Sequence, residues 1–256
     1  MLFNTIVYGP IRSRRLGTSL GINLMPTDHK LCTFDCVYCE CGFNTRVVHP
    51  HLPTRNEVAQ ALETALQNAT APLDVLTFSG NGEPTLHPDF EGIISDTCRL
   101  RDQYCPNAKV SVLTNSTQLI REDVVRALQK CDNRILKLDS AIDRTMQLID
   151  RPVNAKLTVN QLLNRLALFD GDFILQTCFL RGEVPDGNTT IHIDNTTPDE
   201  LDAWYKAVDK LHPKSLMIYV IDRATPVKTL EKISREQMEA IAAPLRDKGF
   251  EVSVSA

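Results

Sequence analysis

Six short apolar runs, at residues 19–25, 74–79, 109–114, 134–139, 172–178 and 215–221, recur along the chain, separated and followed by amphipathic stretches. Apolar runs of that length read as strands buried on both faces. The stretches at 54–68, 88–103, 120–130, 158–169, 198–211 and 235–248 carry helical spacing. Thr54 with Glu57 makes a capping box at one start, and Asp247-Lys248-Gly249 makes a stop at the end of the last. Strand and helix in strict alternation predict parallel βαβ units, hence an α/β chain. Periodicity alone fits an open doubly wound sheet and a complete or partial barrel equally, because both bury their strands on two faces. Lys137 and Asp139 share one face of the fourth strand while Leu136 and Leu138 point the other way. In either architecture polar groups at a strand's carboxyl end face a site. The length of 256 residues suits one unit, and no Gly/Ser-rich linker or internal repeat interrupts it, so a single domain over 1–256 is expected.

Hydrophobic residues at 43% and charged residues at 23% are ordinary for a globular protein. A net charge of −4 argues against a strongly basic nucleic-acid binder, although Arg12, Arg14 and Arg15 form a local basic cluster. No apolar run approaches the roughly 18 residues that span a bilayer. The arginines of the N-terminus follow its apolar stretch, the reverse of a secretory signal. No membrane segment and a cytoplasmic location are therefore expected. In that setting eight cysteines point to metal or redox chemistry rather than to a disulfide framework, and four of them fall within residues 32–41.

The segment reads Cys32-Thr33-Phe34-Asp35-Cys36-Val37-Tyr38-Cys39-Glu40-Cys41. Three thiolates within eight residues converge on one metal centre only if the segment is a loop wrapped around it. A [4Fe–4S] cluster normally takes four cysteines, so three in a tight loop leave one iron open. Zinc is the rival, with Cys41 or His29 as a fourth ligand. Spacing leaves both open, and the second reading is a zinc-stabilised α/β binding protein without redox activity.

C-x3-C-x2-C with an aromatic, Tyr38, just before the last cysteine resembles the signature of radical S-adenosylmethionine (SAM) enzymes. The resemblance implies that Cys32, Cys36 and Cys39 ligate a [4Fe–4S] cluster whose open iron takes SAM, with Tyr38 beside the adenine. Gly80-Asn81-Gly82-Glu83 is similar to the family's glycine-glycine-glutamate segment, with Asn81 where a glycine is common. Glycine permits close backbone approach to a ligand, and Glu83 offers a carboxylate to the SAM ammonium. Thr114 and Asn115 at the third strand's end, and Lys137 and Asp139 at the fourth's, match positions that contact the SAM ribose and carboxylate. The lead from Gly9 to Asn23, with Asp222-Arg223-Ala224-Thr225-Pro226, resembles the wyosine (tRNA-imidazoguanosine) synthase-related subgroup.

By that resemblance the expected fold is a partial TIM-type (β/α)6 barrel with the cluster loop after the first strand. The expected activity is reductive cleavage of SAM to a 5′-deoxyadenosyl radical that abstracts hydrogen from a substrate. An external one-electron reductant of flavodoxin or ferredoxin type is implied; a tRNA base, a peptide and a small metabolite all stay open as substrate. Gln176 and Cys178 share a face of the fifth strand, where the thiol is either a hydrogen-atom donor or a small buried apolar group. Cys98, Cys105 and Cys131 lack a ligand pattern, and His49, His51 and His87 lack paired ligands.

Overall fold

The computed structural model describes residues 2–13, 15–45, 47 and 49–256; Arg14, from the basic cluster, lies outside the described residues. The chain divides into two compact units, one of residues 1–32 and 44–135 and the other of residues 33–43 and 136–256.

The first unit holds β1 (Val7–Ser13), β2 (Gly17–Ile22), α1 (Arg55–Gln67), β3 (Val75–Phe78), α2 (Phe90–Tyr104), β4 (Lys109–Thr114), α3 (Glu122–Gln129) and the start of β5 (Asn133–Lys137). Its strands lie in the order β1-β2-β3-β4-β5. β2, β3 and β4 are parallel, with Ser19 opposite Val75 and Val75 opposite Lys109. All four residues of β3 are buried, which explains its unbroken apolar run. β1 pairs antiparallel with β2, and a register shift between Tyr8 and Ile11 breaks its alternation around Gly9-Pro10. That interruption hides β1 from pattern reading. The cysteine loop thus follows the second strand of the chain, although it follows the first of the parallel ones.

α1 buries Val58, Leu62 and Leu66 at four-residue spacing, a single stripe down one face. Its predicted capping box is present: the Thr54 hydroxyl accepts from the Glu57 N–H while the Glu57 carboxylate accepts from the Thr54 N–H. On α2, Phe90 meets Phe78 of β3 edge to face at 6.2 Å. Each such fully buried side chain contributes roughly 1.5–3 kcal/mol.

The second unit holds the rest of β5, α4 (Asp143–Asp150), α5 (Val159–Leu166), β6 (Ile174–Asp186), β7 (Thr189–Asp194), α6 (Pro198–Leu211), β8 (Ser215–Val220), β9 (Leu230–Lys232), α7 (Arg235–Asp247) and β10 (Val252–Ser255). The order here is β5-β6-β8-β10. Ile174 stands opposite Ser215 and Leu216 opposite Val252 in parallel pairs. Trp204 of α6 packs edge to face on Phe179 of β6 at 5.2 Å and donates its indole N–H to Thr177 at 3.0 Å. β6 runs on past the parallel sheet, and its second half pairs antiparallel with β7 and β9.

All six predicted strands and all six predicted helices are present within a few residues, except that β6 runs on to Asp186, past the predicted end at Cys178. The additions are β1, β7, β9, β10 and α4. Three of these, β7, β9 and β10, are short strands of six, three and four residues with mixed burial, and none carries a long apolar run.

Candidate cofactor-binding site

In the first unit the polar groups cluster past the carboxyl ends of β3 and β4. Gly80 and Gly82 both have positive φ, +129° and +149°. The Leu31 N–H donates to the Asn81 carbonyl at 2.9 Å, and the Glu83 N–H donates to the Leu31 carbonyl at 3.1 Å. Residues 81–83 thereby grip the chain one residue before Cys32. A β-carbon on Gly82 would stand 1.7 Å from the Leu31 oxygen, so only glycine allows this approach.

Glu83, 2% exposed, is held at four points. Its Oε1 accepts from the Thr85 N–H at 3.1 Å, the Thr85 hydroxyl at 2.6 Å and the Thr114 hydroxyl at 2.7 Å. Its Oε2 accepts from the Asn115 N–H at 2.8 Å. Burial pushes its carboxyl above the usual range, and these hydrogen bonds oppose the shift. The Asn115 Nδ2 points at Cys32 Sγ at 3.6 Å, and the Asn44 amide bonds both the N–H and the carbonyl of Cys32. The fully buried Asn81 spends its side chain elsewhere: Oδ1 accepts from the Phe3 N–H, and Nδ2 donates to the carbonyls of Phe3 and Pro26, each within 2.8 Å. It clamps the N-terminal segment, so any role for Asn81 at a ligand falls to its backbone.

In the second unit the loop of residues 33–43 rests on the carboxyl end of α4. The Asp35 N–H donates to the Asp150 carbonyl and the Val37 N–H to the Ile149 carbonyl, both at 2.9 Å. Cys36 Sγ lies 3.0 Å from Lys137 Nζ and 3.5 Å from Asp150 Oδ1. Lys137, its side chain 12% exposed, also reaches Asp139 at 3.1 Å and Asp150 at 2.6 Å. Burial works against its ammonium, yet Asp139 and Asp150 hold it well above the ordinary lysine value. Burial likewise raises Asp150 to about 7, while Lys137 draws it down.

The Tyr38 hydroxyl donates to Asp139 Oδ2 at 2.5 Å. Asp139 Oδ1 accepts from the Cys178 N–H at 2.9 Å. The buried Asn195 Nδ2 donates to the carbonyls of Asp139 and Cys178 at 2.8 Å each. Burial and the Asp139 charge raise Tyr38 well above the phenol range, so its hydroxyl stays a donor. Tyr219 meets Tyr38 edge to face at 6.4 Å.

Each unit therefore gathers its own share of the predicted residues: Cys32, Glu83, Thr114 and Asn115 in one, Cys36, Tyr38, Lys137 and Asp139 in the other. Cys39 lies half-buried in the loop, its N–H donating to the Cys36 carbonyl. Among the described residues no three His, Cys, Asp or Glu side chains stand in a metal-binding group. The donor chemistry fits an iron–sulfur cluster. Cys32 and Cys36 each face a nitrogen donor of the kind that stabilises a thiolate. Cys178 is buried in an apolar cluster with Val37, Leu180 and Val184, matching the bland reading of that thiol. His87 is buried in its turn, Nε2 against the Pro53 carbonyl. Sequence reasoning missed Thr85, Asp150 and Asn195. Thr85 lay inside the glutamate motif and was findable; Asp150 and Asn195 carry no motif and are placed only by the folded chain.

Two curated relatives illustrate the sequence similarity. A GTPase Obg of Brachyspira hyodysenteriae is 31% identical over 238 residues, which is 91% of this chain and 32% of that protein. A UPF0026 protein of Methanocaldococcus jannaschii is 32% identical over 183 residues, 69% of this chain and 54% of that protein. The chain spans between 32% and 60% of the lengths of the curated relatives it matches. Among solved structures, Streptococcus suis SuiB bound to S-adenosylmethionine aligns at a TM-score of 0.65 and 13% identity, over 92% of this chain and 50% of that one. TYW1 with a lysine-pyruvate adduct bound aligns at 0.62 and 12% identity, over 91% and 74%. These likenesses establish the α/β partial-barrel fold. The family model described as the Radical SAM superfamily matches residues 29–171, more than half the chain and inclusive of Cys32, Cys36, Cys39, Glu83 and Lys137, and on that match this chain belongs to the radical SAM superfamily.

Proposed function

We propose that the chain is a radical SAM enzyme in which Cys32, Cys36 and Cys39 ligate a [4Fe–4S] cluster. The observation that carries the reading is the family match across 29–171, with Glu83 held by four hydrogen bonds at the motif position. When bound, the cluster supplies the single electron that cleaves SAM to methionine and a 5′-deoxyadenosyl radical, which abstracts hydrogen from the substrate. The residues of the chain bind and orient. Glu83, already ordered, offers its carboxylate to the SAM ammonium without reorganising. Thr114 and Asn115 offer a hydroxyl and an amide to the ribose, and Lys137 an ammonium to the SAM carboxylate. Asp139, fixed by the Cys178 N–H, orients Tyr38 for the adenine. Gly80 and Gly82 serve the chain's own packing, Gly80 against the Asn23 side chain and Gly82 against the Leu31 backbone, and so shape the turn that presents Glu83.

The whole chain acts as one domain in this reading, since the family match draws on residues of both compact units. A cytoplasmic location goes with this reading, because thiols that ligate a metal need a reducing compartment. No helix among the described residues is long and apolar enough to cross a membrane. The electron comes from an external carrier of flavodoxin or ferredoxin type.

The test is anaerobic reconstitution with iron and sulfide, then dithionite and SAM, assaying 5′-deoxyadenosine. Product that disappears in Cys32→Ala, Cys36→Ala and Cys39→Ala supports the reading. A colourless protein holding one zinc refutes it and leaves the binding-protein alternative.

A further inference from the structure

Asn195 directly follows β7 and is buried. Its side chain makes three bonds of 2.8 Å, all to residues distant in the chain: Oδ1 accepts from the Leu180 N–H, and Nδ2 donates to the carbonyls of Asp139 and Cys178. The need for them arises where β5 and β6 part. β5 ends at Lys137, and the Leu138 N–H still donates to the Gln176 carbonyl at 3.0 Å. Beyond that point β6 runs on to pair with β7. The carbonyls of Asp139 and Cys178 then need donors from elsewhere. A primary amide, with two N–H donors and an acceptor, matches the gap. Aspartate would set a carboxylate against both carbonyls, and leucine would leave all three backbone groups unpaired.

The two carbonyls belong to the two residues that place the Asp139 carboxylate. Asp139 carries it, and the Cys178 N–H donates to its Oδ1 at 2.9 Å. Its Oδ2 in turn accepts from the Tyr38 hydroxyl at 2.5 Å and stands 3.1 Å from Lys137 Nζ. We propose that Asn195 is a positioning residue for SAM: by fixing Asp139 it fixes the Tyr38 ring on which the adenine rests. Lys137 has a second anchor, Asp150 at 2.6 Å, so its place survives a shift of Asp139. Tyr38 has no second partner as close, since the Tyr219 hydroxyl lies 3.4 Å away. Loss of Asn195 therefore reaches the ligand through Tyr38. The inference rests on the SAM reading made above, which sets Tyr38 beside the adenine.

The experiment is calorimetric titration of SAM into anaerobically reconstituted protein with the cluster left oxidised, so that SAM binds without being cleaved. Asn195→Ala should weaken SAM binding at least about tenfold, equivalent to about 1.4 kcal/mol. In a Tyr38→Phe background the hydroxyl that Asp139 orients is gone, and the same substitution should weaken binding less than about twofold. A structural lesion of the whole site would weaken SAM equally in both backgrounds, and that result overturns the inference. A fully loaded Asn195→Ala that binds SAM within about twofold of the wild type overturns it too and leaves the SAM reading intact. If Asn195→Ala does not fold, Asn195→Ser decides, because serine leaves room for water to reach the carbonyls while the rigid link is lost. It should weaken SAM at least about fivefold in the native background and less than about twofold with Tyr38→Phe, and equal effects overturn the proposal. A wild type that assembles no cluster, or assembles one and binds no SAM, overturns the inference together with the function it rests on.

Discussion

Replacing Glu83 by alanine removes the acceptor for four donors at once. The Thr85 and Thr114 hydroxyls can rotate toward other partners; the N–H groups of Thr85 and Asn115 cannot. Each buried backbone donor left without a partner costs about 1–3 kcal/mol, for a gross loss of about 2–6 kcal/mol. Against this, alanine relieves the burial of a carboxylate whose pKa is raised by that burial. A net loss of about 3 kcal/mol follows, and at about 2–4 °C per kcal/mol for a chain of this size the melting temperature should fall by about 6–12 °C. Differential scanning calorimetry of the cofactor-free protein reads this directly, independent of any cluster. Glu83→Gln, which keeps one acceptor, should lose less than half as much. A fall below about 2 °C for the alanine variant would refute the view that Glu83 organises the ends of β3 and β4.

Three further outcomes follow from the same geometry. The folded-state pKa of Glu83 is raised, so its stabilising contribution is present below the unfolded value near 4.3 and is lost as pH rises through the folded one. The melting temperature of the wild type minus that of Glu83→Gln should therefore decline from pH 4 to pH 7; an increase over that window would mean the hydrogen bonds outweigh burial. Gly82→Ala places a β-carbon 1.7 Å from the Leu31 oxygen and should cost more than about 3 kcal/mol, read as a lower urea midpoint; an unchanged midpoint would show that the 31–83 strap is not rigid. Asn81→Ala strips the clamp on Phe3 and should speed amide hydrogen exchange in β1 at least about tenfold, equivalent to about 1.4 kcal/mol of lost protection, while leaving β3 protected. Exchange that stays slow in β1 would assign its order to the pairing with β2 instead.

The six predicted strands were legible as short apolar runs and the six predicted helices because each is long enough to carry its own period, and α1 even declared its start through Thr54 and Glu57. The cysteine triplet and Glu83 stood out in the sequence by residue type and spacing, and the strand-end residues by resemblance to the family; their roles belong to the proposed function. Sequence alone thus determined the fold class and the superfamily. The tertiary structure decided what each residue is held by. Asn81 turned from a ligand-side residue into a clamp, because the residues its amide reaches, Phe3 and Pro26, are far from it in the chain. Asp150 came to stand against Cys36 across 114 residues, and Asn195 under Asp139 across 56. Hydrogen bonds and charges act over a few ångströms of space, whereas a sequence records proximity only along the backbone; partners brought together by a sheet's crossovers leave no local pattern to read.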